Sequence, residues 1–293
     1  MTTATRCADV ADAADDPREG TAPPAERWFL VEHPGPWGRV ALAQSGIVPG
    51  AVAALSAWAL AENGRVLLVR RHSRRTGAAE RRWFRVDSRP GHEEIRTGTF
   101  TDEADLVAAV RAAGDPFDGP LYLVCTHGRH DTCCAVRGRP AAAAVAAAAP
   151  ERTWECSHIG GCRFAPALVL LPHGFTLGGV PPECVPAVVR DYAEGRLEPR
   201  WVRGRSVHSP AVQAAQQYAR VVTGATAVDA LEPVSVEPDG AAWVVRFRDP
   251  DVTVRLRERR VEAGRPLTCT ATAPGWLRVF DLVDVEPSPT GRP

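Results

Sequence analysis

Five of the chain's eight cysteines and four of its eight histidines fall between Leu121 and Val180. They are Cys125, Cys133, Cys134, Cys156 and Cys162, with His127, His130, His158 and His173. Thiolate and imidazole are soft ligands, and a set this dense suggests a metal site. Mixed thiolate and imidazole sets suit zinc or an iron–sulfur centre, and ligand spacing alone does not separate the two.

The residues sit in two settings. Cys125 closes an apolar run, Leu121 to Val124, that reads as a buried strand. A polar loop, Thr126 to Thr132, leads from it to the Cys133-Cys134 pair. The second group, Cys156-Ser-His158-Ile-Gly-Gly-Cys162, follows a short strand at 153–155. Gly160 and Gly161 allow a tight turn and a close backbone approach to a bound group. Their N–H groups can face an anionic centre. Two ligand loops, one after each of two strands, can close on a single centre. His127 and His130 read as loop or supporting groups, Cys156 as a buried thiol and His173 as a turn residue. Cys184 and Cys269 lie in apolar helix and strand contexts and read as small core residues. Cys7 reads as a free thiol.

Three segments carry a resemblance: Cys125-Thr-His-Gly-Arg-His-Asp-Thr-Cys133-Cys134, Trp154-Glu-Cys-Ser-His-Ile-Gly-Gly-Cys-Arg-Phe-Ala-Pro166 and Leu171-Pro-His-Gly174. They resemble the thioredoxin-like [2Fe-2S] ferredoxins. More closely, they resemble the sucrase/ferredoxin-like family of actinobacteria and its eukaryotic relatives. The ferredoxins have Cys-x-x-x-Cys as the second ligand pair, and the eukaryotic relatives have His-x-Gly-Gly-His. Here His158-Ile-Gly-Gly-Cys162 mixes the two. The first pair of the relatives falls on Cys125 and Cys134, with Cys133 at an arginine position. The resemblance therefore implies a [2Fe-2S] cofactor on Cys125, Cys134, His158 and Cys162, with two ligands for each iron. It also implies an electron-transfer role alongside a redox partner protein. One imidazole among three thiolates leaves such a cluster one negative charge short of the all-cysteine form, which eases reduction. Arg129 and Arg163 would ease it further if they face the cluster.

The elements that must hold these loops read as strand 121–125, helix 137–149, strand 153–157, a hairpin pairing 167–171 with 175–179, and helix 183–194. Pro140 suits the first turn of its helix, and Pro172-His173-Gly174 suits a hairpin turn. This is the minimal thioredoxin-like order. The expected fold class is α/β (α+β). A thioredoxin-like ferredoxin domain spans 116–198, with an N-terminal α/β unit over 26–115 and a C-terminal helix plus small antiparallel sheet over 199–293. Residues 1–25, rich in Ala, Asp and Pro, read as a disordered tail. The N-terminal unit reads as helix 51–61, strands 65–69 and 82–86 around an Arg/Gly loop at 70–81, and helix 102–113. It carries only a faint echo of the next domain. His33-Pro-Gly-Pro-Trp-Gly38 reads as a rigid turn with Trp37 as packing anchor, or as a flap over the cluster. After 199, helix 210–222 precedes strands near 234–236, 242–248, 252–257 and 277–285. Arg203-Gly-Arg205-Ser206 reads as a solvated basic loop, with docking of a partner or phosphate as the alternative.

Thirty-five acidic residues balance 35 arginines, with no lysine, so the net charge is zero. Nothing global suggests nucleic acid or a membrane surface as partner. The N-terminus lacks the basic and apolar regions of a signal peptide, and the longest apolar run, 141–149, is too short to span a bilayer. A cytoplasmic location with reduced cysteines is expected. No GxGxxG follows a strand and there is no P-loop, so no nucleotide cofactor is expected. Sucrose hydrolysis needs two carboxylates framing a sugar pocket, and no motif supplies them. A redox carrier is therefore expected over a hydrolase. Two further readings stay open. One is a thioredoxin-type thiol oxidoreductase using Cys133-Cys134 or Cys125, weakened by the lack of a Cys-x-x-Cys. The other is a zinc-stabilised binding module. A homodimer is an open assembly.

Overall fold

A ten-stranded mixed sheet runs through most of the chain. The computed structural model describes residues 6–72 and 80–287, so most of the loop expected at 70–81 lies outside the described residues. In chain order the first elements are α1 (Cys7–Ala13), β1 (Arg27–Glu32), α2 (Ala41–Gln44), α3 (Pro49–Ala61), β2 (Gly64–Arg70), β3 (Arg81–Asp87), β4 (Glu94–Phe100), α4 (Leu106–Ala109) and β5 (Asp115–Pro116). Next come β6 (Leu121–Cys125), α5 (Thr132–Val136), α6 (Gly138–Ala148), β7 (Thr153–Cys156), β8 (Ala167–Leu171), β9 (Phe175–Gly178), α7 (Val185–Ala193) and β10 (Val202–Arg205). The last are α8 (Pro210–Thr223), β11 (Glu232–Asp239), β12 (Ala242–Arg248), β13 (Val252–Glu262) and β14 (Trp276–Pro287).

The sheet order is β10-β9-β8-β6-β7-β2-β1-β3-β4-β5. Within it, β6 and β7 run parallel while β8 and β9 run antiparallel, the expected thioredoxin-like arrangement. The N-terminal strands repeat that arrangement. β1 and β2 are parallel, and β3 and β4 follow antiparallel on the other side of β1. The faint sequence echo is thus a full structural repeat. The two halves join edge to edge through β2 and β7, antiparallel at Val69 with Cys156 and Arg70 with Glu155. The sheet therefore crosses the boundary expected at 115/116.

Every residue of β6 is buried, as a central strand covered on both faces requires. Strand alternation sends Leu121, Leu123 and Cys125 into a core shared with Trp28, Leu67, Phe84 and Trp154 of the neighbouring strands. Tyr122 and Val124 face the other way, onto α6 and α7 through Ala141, Val145, Val185 and Val189. α6 sits directly on the end of β6. A Cβ at Gly138 would collide with the Cys125 carbonyl oxygen. The C-terminal residues form the expected small sheet, β11 to β14 in sequential order. α8 covers it with Ala211, Ala215 and Ala219 against Val245, Phe247, Val254 and Phe280.

Four expectations are corrected. Residues 6–25 are ordered against the rest, not a disordered tail. α1 buries Cys7, Ala8 and Ala11, its Asp9 and Asp12 pair with Arg137, and Ala25 N–H donates to the Ser206 carbonyl. A low-hydropathy segment can order when small side chains and charges find partners elsewhere in the chain. The Arg203–Ser206 segment is not a solvated loop. Arg203 and Arg205 are 1% and 5% exposed, and β10 pairs with β9 at the edge of the large sheet. The boundary expected at 198/199 is therefore crossed as well. Helix 102–113 shortens to a 3-10 turn at Glu103–Asp105 and α4. Arg85 takes the Ala112 and Ala113 carbonyls at 2.8 and 3.1 Å, turning the chain toward β5. Cys269 is exposed, in the connection between β13 and β14, and not in a core strand as its apolar context suggests.

Because α6 rests on the Cys125 carbonyl, Gly138→Ala must push the helix off the strand. An overpacking cost of about 1–3 kcal/mol is expected. Chemical denaturation should show it as a lower midpoint with an unchanged slope; an unchanged midpoint would show that the helix seat yields freely.

Candidate metal centre

Cys125 is the last residue of β6, level with Cys156 of β7 in the parallel register. The chain then leaves the sheet. Asp131 caps α5 by accepting the Cys133 N–H at 2.8 Å, which sets Cys133 and Cys134 in the first turn. Successive helix residues point about 100° apart, and this separates the pair. Cys134 turns toward Cys125 and His158, and Cys133 turns toward Cys7 and Cys269. The second loop leaves β7 at Ser157, whose N–H and hydroxyl bond Leu68 of β2 at 2.8 and 3.0 Å. His158 follows, and Cys162 opens the next 3-10 turn. Gly161 has φ of +72°, and a Cβ there would lie 2.5 Å from the Arg203 guanidinium. Only glycine meets both demands.

The ligating atoms of Cys125, Cys134 and His158 all lie within 4.8 Å of one another. Those of His130, His158 and Cys162 form a second such set, and those of Asp131, Cys134 and Cys162 a third. Cys134 Sγ and Cys162 Sγ each lie 3.8 Å from His158 Nδ1. The structure thus brings all four residues singled out by the resemblance into one cluster. Cys125, Cys134 and Cys162 are buried and His158 is half-buried. Cys156 is buried in the core and belongs to none of these sets. His173 sits in the β8–β9 turn, bonded to Tyr192 at 2.7 Å, away from the cluster.

A family model described as sucrase/ferredoxin-like matches residues 19–204. The chain belongs to the sucrase/ferredoxin-like family. No curated protein and no solved structure matches it. The family span takes in both thioredoxin-like halves and most of β10, and leaves Cys7 and Cys269 outside.

What surrounds the family's cysteine and histidine cluster comes from distant segments. His127 Nε2 bonds the Gly38 carbonyl at 2.8 Å, and its Nδ1 accepts the His158 backbone N–H at 3.2 Å. His130 stacks on His158 with ring centres 3.6 Å apart and reaches the Arg39 carbonyl at 3.3 Å. The His33–Gly38 turn is thus the packed turn with Trp37 as its anchor. Trp37 is buried as an anchor, and the carbonyls after it hold the ligand loops. Two arginines unforeseen from sequence grip the second loop. Arg65 donates to the Ile159 carbonyl at 2.9 Å. Arg203 donates to the Gly160 carbonyl at 2.9 Å and to both Thr21 oxygens. Arg65 reads as an ordinary strand residue, and Arg203 lies far along the chain, so neither carries a local signal. Arg163 instead pairs with Asp16 at 3.3 Å.

Without a cation the donors share protons among themselves. Contact with the Cys134 thiol, opposed by burial and helped by His158, brings Cys162 down to about 7. The Cys134 thiol likewise holds Cys125 well below the usual thiol range, and these two sulfurs push Cys134 up. Burial opposes protonation of His158, but Cys125 and Cys162 outweigh it and raise the ring to about 9. These directions favour thiolate at Cys125 and Cys162 and a proton on His158, and a metal bound through the ring must displace that proton. Three sulfurs and one imidazole, buried and converging, fit a soft metal centre.

Arg203 makes three hydrogen bonds in a fully buried position, and burial pulls its pKa down to about 9. Arg203→Met should orphan the Gly160 and Thr21 oxygens and cost about 3 kcal/mol. Arg203→Lys should recover little of this, because an ammonium cannot span both segments as a planar fork does. Urea denaturation of the three proteins is the check. A melt of the methionine variant that matches the wild type would remove Arg203 as an anchor of the loop.

Proposed function

We propose that this protein carries a [2Fe-2S] cluster on Cys125, Cys134, His158 and Cys162 and acts as a one-electron carrier between redox partner proteins. The observation that carries this reading is the buried convergence of two donors from each of two loops, at the ends of paired parallel strands. Such a division suits two metal ions with two protein ligands each. When bound, the cluster supplies a one-electron store. The chain's own groups bias that store. The half-buried guanidinium of Arg65 and the buried one of Arg203 hold carbonyls of the His158–Cys162 loop, and positive charge there favours the state with the extra electron. A zinc ion, which changes no charge, gives those arginines no such task. His158, half-buried beneath His130, offers the way out to solvent and to a partner.

The test begins with anaerobic purification. A red-brown protein with equal iron and acid-labile sulfide is expected, and a colourless protein holding only zinc would refute the cluster. Cys125→Ser, Cys134→Ser and Cys162→Ser should each lose iron, because thiolate is the natural ligand of these clusters. Cys184→Ser should keep it. Full iron in Cys134→Ser with loss in Cys133→Ser would show that the wrong member of the pair has been chosen.

A second expectation concerns protons. His158 can bind metal through one ring nitrogen and keep a proton on the other. Ferric iron withdraws charge and makes that N–H more acidic, so the reduced state holds its proton to higher pH. The potential should fall as pH rises between the two pKa values, by about 59 mV per unit for one electron and one proton. His158→Cys should flatten the slope and lower the potential. Protein-film voltammetry of both proteins checks this; a wild-type potential level from mildly acidic to strongly alkaline pH would remove His158 as a ligand.

A further inference from the structure

A second group of soft ligands lies beside the first and shares none of its four residues. Cys7 Sγ is 3.6 Å from Cys133 Sγ, Cys133 Sγ is 3.4 Å from Cys269 Sγ, and Cys269 Sγ is 3.5 Å from Cys7 Sγ. Three sulfurs thus form a nearly equilateral triangle. Asp131 completes it, with its carboxylate oxygens 3.8 and 3.9 Å from Cys7 Sγ. All four ligating atoms lie within 4.8 Å of one another. We propose that Cys7, Cys133 and Cys269, with Asp131 as the fourth ligand, form a structural zinc site separate from the family's centre.

The geometry favours a metal over a disulfide. A disulfide needs sulfurs about 2.05 Å apart, and none of these pairs is close to that. Around a tetrahedral zinc with Zn–S near 2.3 Å, sulfurs stand about 3.8 Å apart, so small shifts would seat the ion. Supporting bonds already orient the ligands. The buried Asp131 carboxylate accepts the N–H groups of Cys133 and Cys269, both at 2.8 Å. Cys269 Sγ lies 3.5 Å from the Cys7 N–H that donates to it, as a metal-bound thiolate would accept it. Thiolate-rich tetrahedral sites select zinc over harder ions. Exposed Cys269 leaves a path for entry, and the other three ligands are buried.

The site would staple three segments remote in sequence. α1 and the β13–β14 connection would be locked onto the helix turn that carries Cys134. Weaker ties already follow the same route. Asp16, just after α1, pairs with both Arg163 of the second ligand loop and Arg265 of the β13–β14 connection. Cys7 and Cys269 fall outside the family match, so this is an addition built around the family's frame.

The test is metal content of the full-length protein by mass spectrometry, in the wild type and three variants. About one zinc per chain is expected, lost in Cys7→Ser and Cys269→Ser and retained in Cys125→Ser. Iron should follow the opposite pattern, so failure of this site and failure of the proposed cluster are distinguishable. Zinc absent after incubation with equimolar Zn²⁺, copper bound in its place, or zinc lost from Cys125→Ser but kept in Cys269→Ser would each overturn the proposal. A readout on the wild type guards against misfolded variants. Cys7 and Cys269 should resist iodoacetamide while zinc is bound and label at least about tenfold faster after chelation. Equal labelling with and without chelator would overturn it as well.

Discussion

One buried carboxylate ties the two halves of this protein and its first ligand loop together. Glu155 of β7 pairs with Arg70 at 2.8 Å and with His72 at 3.0 Å, both from the chain around β2. It also accepts the hydroxyl of Thr126, the residue after Cys125, at 2.9 Å. The seam it occupies has only two directly paired positions on each strand. Backbone pairing alone would be a weak join, and an edge so short would be free to slip. A buried carboxylate without partners is costly, so once Glu155 is in the seam, Arg70, His72 and Thr126 must sit where they do. Register between the halves and position of the first loop are then one problem with one solution.

The second loop poses the opposite difficulty. Its backbone turns through two glycines with positive φ, away from any helix or strand. Arg65 and Arg203 hold that turn. Their N–H groups satisfy the Ile159 and Gly160 carbonyls that such a turn leaves without helix or strand partners. The Arg203 guanidinium is fully buried and also lies over the Phe164 ring, 5.1 Å from its centre.

The residues that could hold metal were legible because their signal is local. Chemistry-bearing types clustered within two short segments, each after an apolar run, and alternation and turn residues placed those runs in a sheet. The hairpin at Pro172-His173-Gly174, α8 and the C-terminal meander were legible for the same reason. What escaped was set by contacts far apart in sequence. Arg203 sits in a segment whose charge density reads as solvated, and the Thr21 oxygens and Gly160 carbonyl that take its N–H groups are far off in sequence. Residues 1–25 look disordered by composition, and it takes the distant Arg137, Arg163 and Arg265 to show where Asp9, Asp12 and Asp16 go. Family spacing points to Cys134 over Cys133. That the two thiols face different neighbours, from the first turn of a helix capped by Asp131, is visible only in three dimensions.

The repeat explains why the ligand loops find cover. β2 and β7 meet antiparallel through their C-terminal residues, Val69 and Arg70 against Cys156 and Glu155. The C-terminal ends of the parallel strands in both halves therefore overlap at the seam, and loops after such ends are where open α/β sheets place their sites. In the second half the loops after β6 and β7 carry Cys125 to Cys134 and His158 to Cys162. In the first half the corresponding loop after β1 is the His33–Gly38 turn, which has no thiol. Edge pairing lays it across its counterpart, and its Gly38 and Arg39 carbonyls meet His127 and His130. One copy of the fold supplies the cysteine and histidine cluster and the other the carbonyls that orient its histidines. The two loops need not resemble each other to do this, because the task of the second is met by backbone carbonyls and by Trp37 against His127. A repeat under such unequal demands loses its sequence likeness while keeping its strand order.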